Sequence, residues 1–117
     1  MNPYQEPIPE ISVETVGTYL QQPTQEVQLI DVREPQEVQM ANIPEFTVLP
    51  LSQFEQWSGA IHDQLDSEKE TWVMCHHGMR SAQMCQWLRS QGFTNVKNIK
   101  GGIDAYSQQV DSSVPLY

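Results

Sequence analysis

The stretch WVMCHHGMRSAQM, residues 72–84, sets an apolar run, Trp72-Val73-Met74, directly before a cysteine, two histidines, a glycine and an arginine. The run has the look of a buried strand, and a helical pattern begins near Arg80. Cys75 thus stands at the carboxyl end of a strand, before a loop that must turn the chain in few residues. Gly78 supplies the backbone freedom that such a turn needs. A strand-to-helix loop of this build turns several backbone N–H groups inward at a helix N-terminus, which makes a cradle for an anion. A cysteine at its mouth is favoured as the thiolate, the nucleophilic form, and Arg80 and any protonated histidine add to that effect.

Outward from this stretch, strands and helices alternate. Ser12 is placed to cap a short helix carrying Val13, Val16 and Leu20, which Pro23 closes. Val27 to Val32 reads as a strand, and Pro35 suits the first turn of a second short helix. Ile43, Phe46, Val48 and Leu49 form a strand-like stretch punctuated by Pro44 and Pro50. Ser52-Gln53-Phe54-Glu55 has the spacing of a capping box and predicts a helix bearing Phe54, Trp57, Ile61 and Leu65 on one side. A helix from about Arg80 to Gln91 follows the Trp72–Met74 strand, with Gly92 as its stop. Val96 to Ile99 is a last strand, and Gly101-Gly102 leads into a final helix. This rhythm predicts an α/β fold, a parallel sheet with helices on both faces, in which ligands sit beyond the carboxyl ends of the strands. Residues 1–10, with Pro3, Pro7 and Pro9, read as an extended arm, and 11–117 as one domain.

The totals narrow the function. A chain of 117 residues has room for one core, and its net charge of −9 with six Lys plus Arg provides no basic stripe for nucleic acid. No apolar stretch approaches the roughly 20 residues that span a bilayer, so no membrane partner is expected. The N-terminus MNPYQEPIPEIS lacks the basic start and apolar core of a signal peptide, which makes the cytoplasm the expected location. Two cysteines are too few for a disulfide framework and are expected as thiols.

The loop Cys75–Ser81, CHHGMRS, resembles the active-site loop of single-domain rhodaneses, the persulfide-forming sulfurtransferases. LIDVREPQEV at 29–38 resembles the first motif of that family, with Asp31, Arg33 and Glu37 in place. NIPEFTVLPL at 42–51 and VKNIKGGIDAYSQQVDSSVPLY at 96–117 resemble later ones. The resemblance implies a single rhodanese-like domain, a five-stranded parallel sheet flanked by helices on both faces. It also implies ping-pong transfer of sulfane sulfur through a persulfide on Cys75. His76, His77, Gly78, Met79, Arg80 and Ser81 would form the loop that binds the anion. The implied partners are a small sulfur donor, thiosulfate or a persulfide, and a thiol, cyanide or protein acceptor, with no metal, no cofactor and a monomeric state. Asn42 and Glu45-Phe46 depart from the family's H-I-P-G-A segment. Glu37 stands where the two-domain thiosulfate enzymes carry an arginine, so thiosulfate is expected to be a poor donor.

Two rival functions resemble this one. Cell-cycle-type cysteine phosphatases share the architecture but use C-x5-R, and the C-x4-R count from Cys75 to Arg80 makes too tight a loop for phosphate. A non-enzymatic docking or sulfur-carrier module is the alternative. The closing VDSSVPLY resembles the tail of rhodanese domains fused to E1-like sulfur-carrier activating enzymes. Other residues have plainer readings. Cys85 is expected in the core. His76 and His77 are expected at the rim of the site, since adjacent loop residues rarely aim at one metal ion. Arg33 and Glu37, four residues apart, are expected to pair, and Asp31 to accept from nearby backbone donors, all three serving structure. Met79, Met84, Trp72 and Trp87 are expected to pack.

Overall fold

The fold is seen in a computed structural model that describes residues 6–117. The first half of the expected arm, residues 1–5, lies outside the described residues. Five strands form one sheet: β1 (Glu10–Ile11), β2 (Val27–Asp31), β3 (Thr47–Val48), β4 (Glu70–Met74) and β5 (Val96–Ile99). Their order is β1-β5-β4-β2-β3, and every neighbouring pair is parallel. Among the described residues, α1 (Val13–Gln21), α2 (Pro35–Met40), α3 (Phe54–Trp57), α4 (Ile61–Gln64) and α5 (Met79–Ser90) connect them, and α6 (Gly102–Gln109) follows the last strand. The parallel sheet expected from the alternation is present, with the five strands that the resemblance implies.

Side chains of a strand alternate between the two faces of its sheet, and a sheet covered on both sides can therefore be apolar at every position. β4 shows this. Trp72 and Met74 join Leu29 and Ile99 under α1 and α6, where Val13, Val16, Ile103 and Tyr106 meet them. Val73 and Cys75 face the other way, with Ile30 and Val96, toward Trp57, Ile61, Met84, Cys85 and Leu88 of α3, α4 and α5. Each fully buried Leu, Ile or Val of these two layers stabilises the fold by about 1.5–3 kcal/mol.

Local chemistry sets most element ends. The Ser12 hydroxyl accepts from the Thr15 N–H at 3.1 Å, the expected cap of α1. Pro35 opens α2. The capping box expected at Ser52 is absent, because the Ser52 hydroxyl and N–H both bond the Glu34 carboxylate instead. The box forms at Glu34 and Glu37, whose side chains cross-bond the first turn of α2. The single helix expected beyond Ser52 is broken into α3 and α4 by 3-10 turns at Leu51–Gln53 and Ser58–Ala60. α5 starts at Met79, one residue before the expected position. It stops with paired bonds from Gly92 N–H to Arg89 and from Phe93 N–H to Leu88, the C-terminal arrangement predicted at Gly92. Residues 6–11 run along the sheet edge: Pro9 accepts from the Asn98 N–H at 2.8 Å, and Arg89 donates to the carbonyl of Glu6 at 2.9 Å. Among the described residues no helix is long and apolar enough to cross a membrane.

Arg33 does not pair with the Glu37 carboxylate. It precedes the N-cap of α2, so the i, i+4 geometry of a helix face does not apply to it. Its guanidinium is 0% exposed and forks onto Asp31 at the end of β2, with Nη2–Oδ2 at 2.8 Å and Nε–Oδ1 at 3.0 Å. Asp31 also accepts from the Arg33 backbone N–H at 3.0 Å, the role expected of it. Removing the cation leaves a buried carboxylate without its counter-charge. Arg33→Ala is expected to cost about 3–5 kcal/mol in urea denaturation. A loss under about 1 kcal/mol, the range of exposed pairs, would show that Asp31 does not depend on it.

Candidate active site

Cys75 follows the last residue of β4 and is 1% exposed, its side chain still rooted in the core layer under α5. Its Sγ accepts from the Gly78 N–H at 3.0 Å and lies 3.2 Å from the Ser81 hydroxyl, one turn into α5. Gly78 adopts a φ of +108°, a left-handed conformation that glycine enters without strain, and this bends the loop back over the sulfur. The Asn98 side chain on β5 holds the far side: its amide donates to the Gly78 carbonyl at 2.8 Å and accepts from the Ser81 hydroxyl.

The first turn of α6 orients the rest of the loop. The N–H groups of Ile103 and Asp104 donate to the carbonyls of Cys75 and His76 at 3.0 and 3.1 Å. A trans peptide sets its N–H opposite its C=O, so the N–H groups of His76 and His77 turn away from α6. Donors aligned in this way, with the N–H groups in the first turn of α5, give the loop the chemistry to hold an anion. Gly102 permits the approach, since a Cβ there would overlap the carbonyl oxygens of Cys75 and His76. The grip of α6 and the role of Asn98 lie far along the chain from Cys75, and only the neighbouring of β4 and β5 brings them in. The glycine pair at 101–102 was the one trace of this in the sequence.

Arg80 is committed elsewhere. Its guanidinium forks onto the Glu37 carboxylate at 2.6 and 3.0 Å, and the Tyr117 hydroxyl donates to the same carboxylate at 2.8 Å. The Arg80 bonds hold Glu37 well below the usual carboxylate range, at about 2, against an opposing effect of burial. The same bonds hold Arg80 firmly in its charged form. Glu37 therefore borders the candidate site while it holds this end of the structure together, and it offsets the cation expected to serve the loop. The Tyr117 ring stacks on His76 with centroids 3.9 Å apart and planes within 6°. Burial, and then neighbouring His77, lower the pKa of His76, so its imidazole is neutral near pH 7. His77 stands at the exposed rim, as expected. Met79 is 79% exposed beside the loop, not packed.

Cys85 lies in the core, as expected, and burial pushes its thiol up to about 12. It stays an uncharged thiol. Among the described residues, His76, His77 and Asp104 bring possible metal ligand atoms within 4.8 Å of one another. The His76 and His77 ring centroids lie 3.9 Å apart with their planes tilted by 35°.

The family model for the rhodanese-like domain matches residues 16–109. Over 114 residues, 96% of this chain, the sequence is 50% identical to the rhodanese-like/PpiC domain-containing protein 12, chloroplastic, of Arabidopsis thaliana. It is 37% identical over 82 residues to the putative sulfurtransferase YtwF of Bacillus subtilis, covering 70% of this chain and 75% of that one. A crystal structure of a rhodanese-like domain protein from Staphylococcus aureus superposes with a TM-score of 0.74 over 94% of this chain and 99% of that one, at 22% identity. That last likeness is one of fold. The chain spans 38% of the length of the Arabidopsis protein and 19% of a maize relative.

The Glu37 contact has a pH signature. Because its carboxyl is lowered from 4.5 to about 2 in the folded state, its contribution to stability is present above pH 4.5 and is lost as pH falls toward 2. Thermal denaturation across that window should show Glu37→Gln less stable than the parent at pH 6, with the gap closing as acid is added. A gap that stays constant down to pH 2 would mean that the pairing with Arg80 does not survive in solution.

Proposed function

The chain belongs to the rhodanese-like domain family, and from that premise we propose that it transfers sulfane sulfur through a persulfide on Cys75. The Cys75 thiolate attacks the outer sulfur of a donor R–S–S⁻. A new S–S bond forms, the donor's S–S bond breaks, and R–S⁻ departs with the electron pair. The outer sulfur of Cys75–S–S⁻ carries the negative charge within reach of the loop N–H groups, which need no reorganisation to receive it. A thiol, cyanide or protein nucleophile then takes that sulfur, and the Cys75 thiolate leaves. The observation that carries this reading is the placement of Sγ at a strand end inside a donor-rich loop, with Gly78 N–H already bonded to it. The loop from Cys75 to Arg80 encloses a single atom more readily than a phosphate group. The two free thiols fit a reducing compartment, of which the cytoplasm is the simplest.

Donor choice follows from charge. With Glu37 on Arg80 the mouth offers a dianion little net attraction, and the overall charge of −9 opposes its approach. A less charged persulfide is the better donor.

Incubation with a persulfide donor and intact-mass analysis should add the mass of one sulfur atom to the parent and to Cys85→Ser, and none to Cys75→Ser. Labelling that survives loss of Cys75 would place the chemistry elsewhere. Thiosulfate should bind in the millimolar range or weaker, and moderate salt should raise its second-order rate. Glu37→Gln, which frees Arg80, should raise kcat/KM for thiosulfate by about tenfold, equivalent to 1.4 kcal/mol, with little change for a persulfide. Equal gains for both donors would remove Glu37 from donor selection.

A further inference from the structure

The hydrogen bonds around Cys75 have only one consistent direction. The Gly78 carbonyl can only accept, so the Asn98 group 2.8 Å from it is the NH2 and the amide oxygen faces Ser81. That oxygen can also only accept, so the single hydroxyl proton of Ser81 points at Asn98. Ser81 is left with lone pairs toward Cys75 Sγ, 3.2 Å away. A sulfur facing a lone pair at that distance is matched when it carries a proton. The Gly78 N–H, donating to the same sulfur at 3.0 Å, completes a ring: sulfur to Ser81, Ser81 to Asn98, Asn98 to Gly78, Gly78 to sulfur.

We infer that Asn98 is a positioning residue that holds resting Cys75 as a protonated thiol, by fixing the hydroxyl of Ser81 as an acceptor. It touches no reacting atom. Asn98 is 3% exposed and Ser81 is fully buried, so their bond is shielded from bulk solvent. When the thiol proton passes to a solvent base, the Ser81 hydroxyl must turn to donate to the thiolate. The Asn98 oxygen then loses the one donor it has among the described residues, a cost peculiar to the ionised state. In the persulfide the inner sulfur is bonded and uncharged, and the hydroxyl can stay on Asn98. The ring therefore separates the free thiolate from the states on either side of it in the cycle. This rests on the sulfur-transfer reading for its purpose, but not for its test.

The other titratable and charged groups about the loop are Arg80 and Cys85 on α5, His76 and His77 on the loop itself, Asp104 on α6, Glu37 on α2 and the Tyr117 hydroxyl. All are retained in the variants below. The test is the pH dependence of iodoacetamide alkylation at Cys75, read from the mass of its peptide. Asn98→Ala should lower the pH midpoint by about one unit, since the Ser81 proton is then free to face sulfur. Ser81→Ala, a mild change within a helix, should also lower it, because the thiol loses its acceptor. In the Ser81→Ala background, Asn98→Ala should add less than about 0.3 unit, the mark of two residues acting as one. Ser81→Thr, which keeps a hydroxyl, should stay near the parent. A midpoint raised by Ser81→Ala would mean that Ser81 donates to the thiolate and would overturn the inference. So would an Asn98 effect of equal size in both backgrounds, which would place its action at Gly78 instead. Should Asn98→Ala not fold, the sign of the Ser81→Ala shift decides alone. Alkylation reads the thiol whether or not sulfur moves, so a protein that takes no sulfur at Cys75 would sink the transfer reading and leave this result standing.

Discussion

Arg33 is a charge without access to water, and each of its five guanidinium N–H groups has a protein acceptor. Nε and one Nη2 proton meet Asp31, the second Nη2 proton meets the Ala41 carbonyl, and the Nη1 protons go to the Glu37 carbonyl and the Tyr117 hydroxyl. A buried cation tolerates this arrangement only if every partner is in place. Meeting that demand draws together the end of β2, both ends of α2 and the closing segment of the described chain. Tyr117, pinned by accepting from Arg33, donates onward to Glu37, and burial first of all raises its own pKa to about 12, so it keeps the proton that it donates. Glu37 in turn has all its lone-pair positions engaged, by Glu34, Arg80 and Tyr117. The electrostatics at the mouth of the site thus descend from a packing requirement one layer below it.

This hierarchy separates what was legible in the sequence from what was not. The stretch from Trp72 to Met84 was readable because strand, turn and helix signals follow each other within it, and the loop about Cys75 depends on local backbone geometry. The end of α5 at Gly92 and the cap at Ser12 were readable for the same reason. Arg33 and Glu37 were misjudged because four-residue spacing implies a shared face only for residues inside a helix, and Arg33 lies before one. Arg80 was expected to lend its charge to the thiolate at Cys75. Its actual compensation comes from α2, which no local pattern reveals. Met79 was assigned to packing by residue type, although the first turn of α5 faces solvent at that point. Asn98 carried no signal at all. A polar residue in a four-residue strand that also carries Lys97 reads as tolerated variation until the neighbouring strand is known to lead into a cysteine.

A site built this way relies on backbone dipoles more than on side-chain charge. Peptide N–H groups aligned by α6 and Asn98 are fixed in number and cannot titrate, so the loop offers nearly the same field at every pH where the fold persists. Its one strong cation is already matched, and His76 is neutral beneath Tyr117. On the sulfur-transfer proposal, such an environment would suit a small, singly charged sulfur more than a large polyanion.

The sheet closes with two very short strands, Glu10–Ile11 at one edge and Thr47–Val48 at the other. Pro9 precedes the first and Pro50 follows the second by two residues, and neither can donate a backbone hydrogen bond. An incoming strand would find too few free ladder groups at either border to add itself to the sheet. The inner strands bury Leu29, Ile30, Trp72, Val73, Met74, Val96 and Ile99, apolar stretches of the kind that template aggregation when a border is left open. Truncated borders let the domain keep that interior and still be tolerated at high concentration, or beside copies of itself, without growing into a fibre.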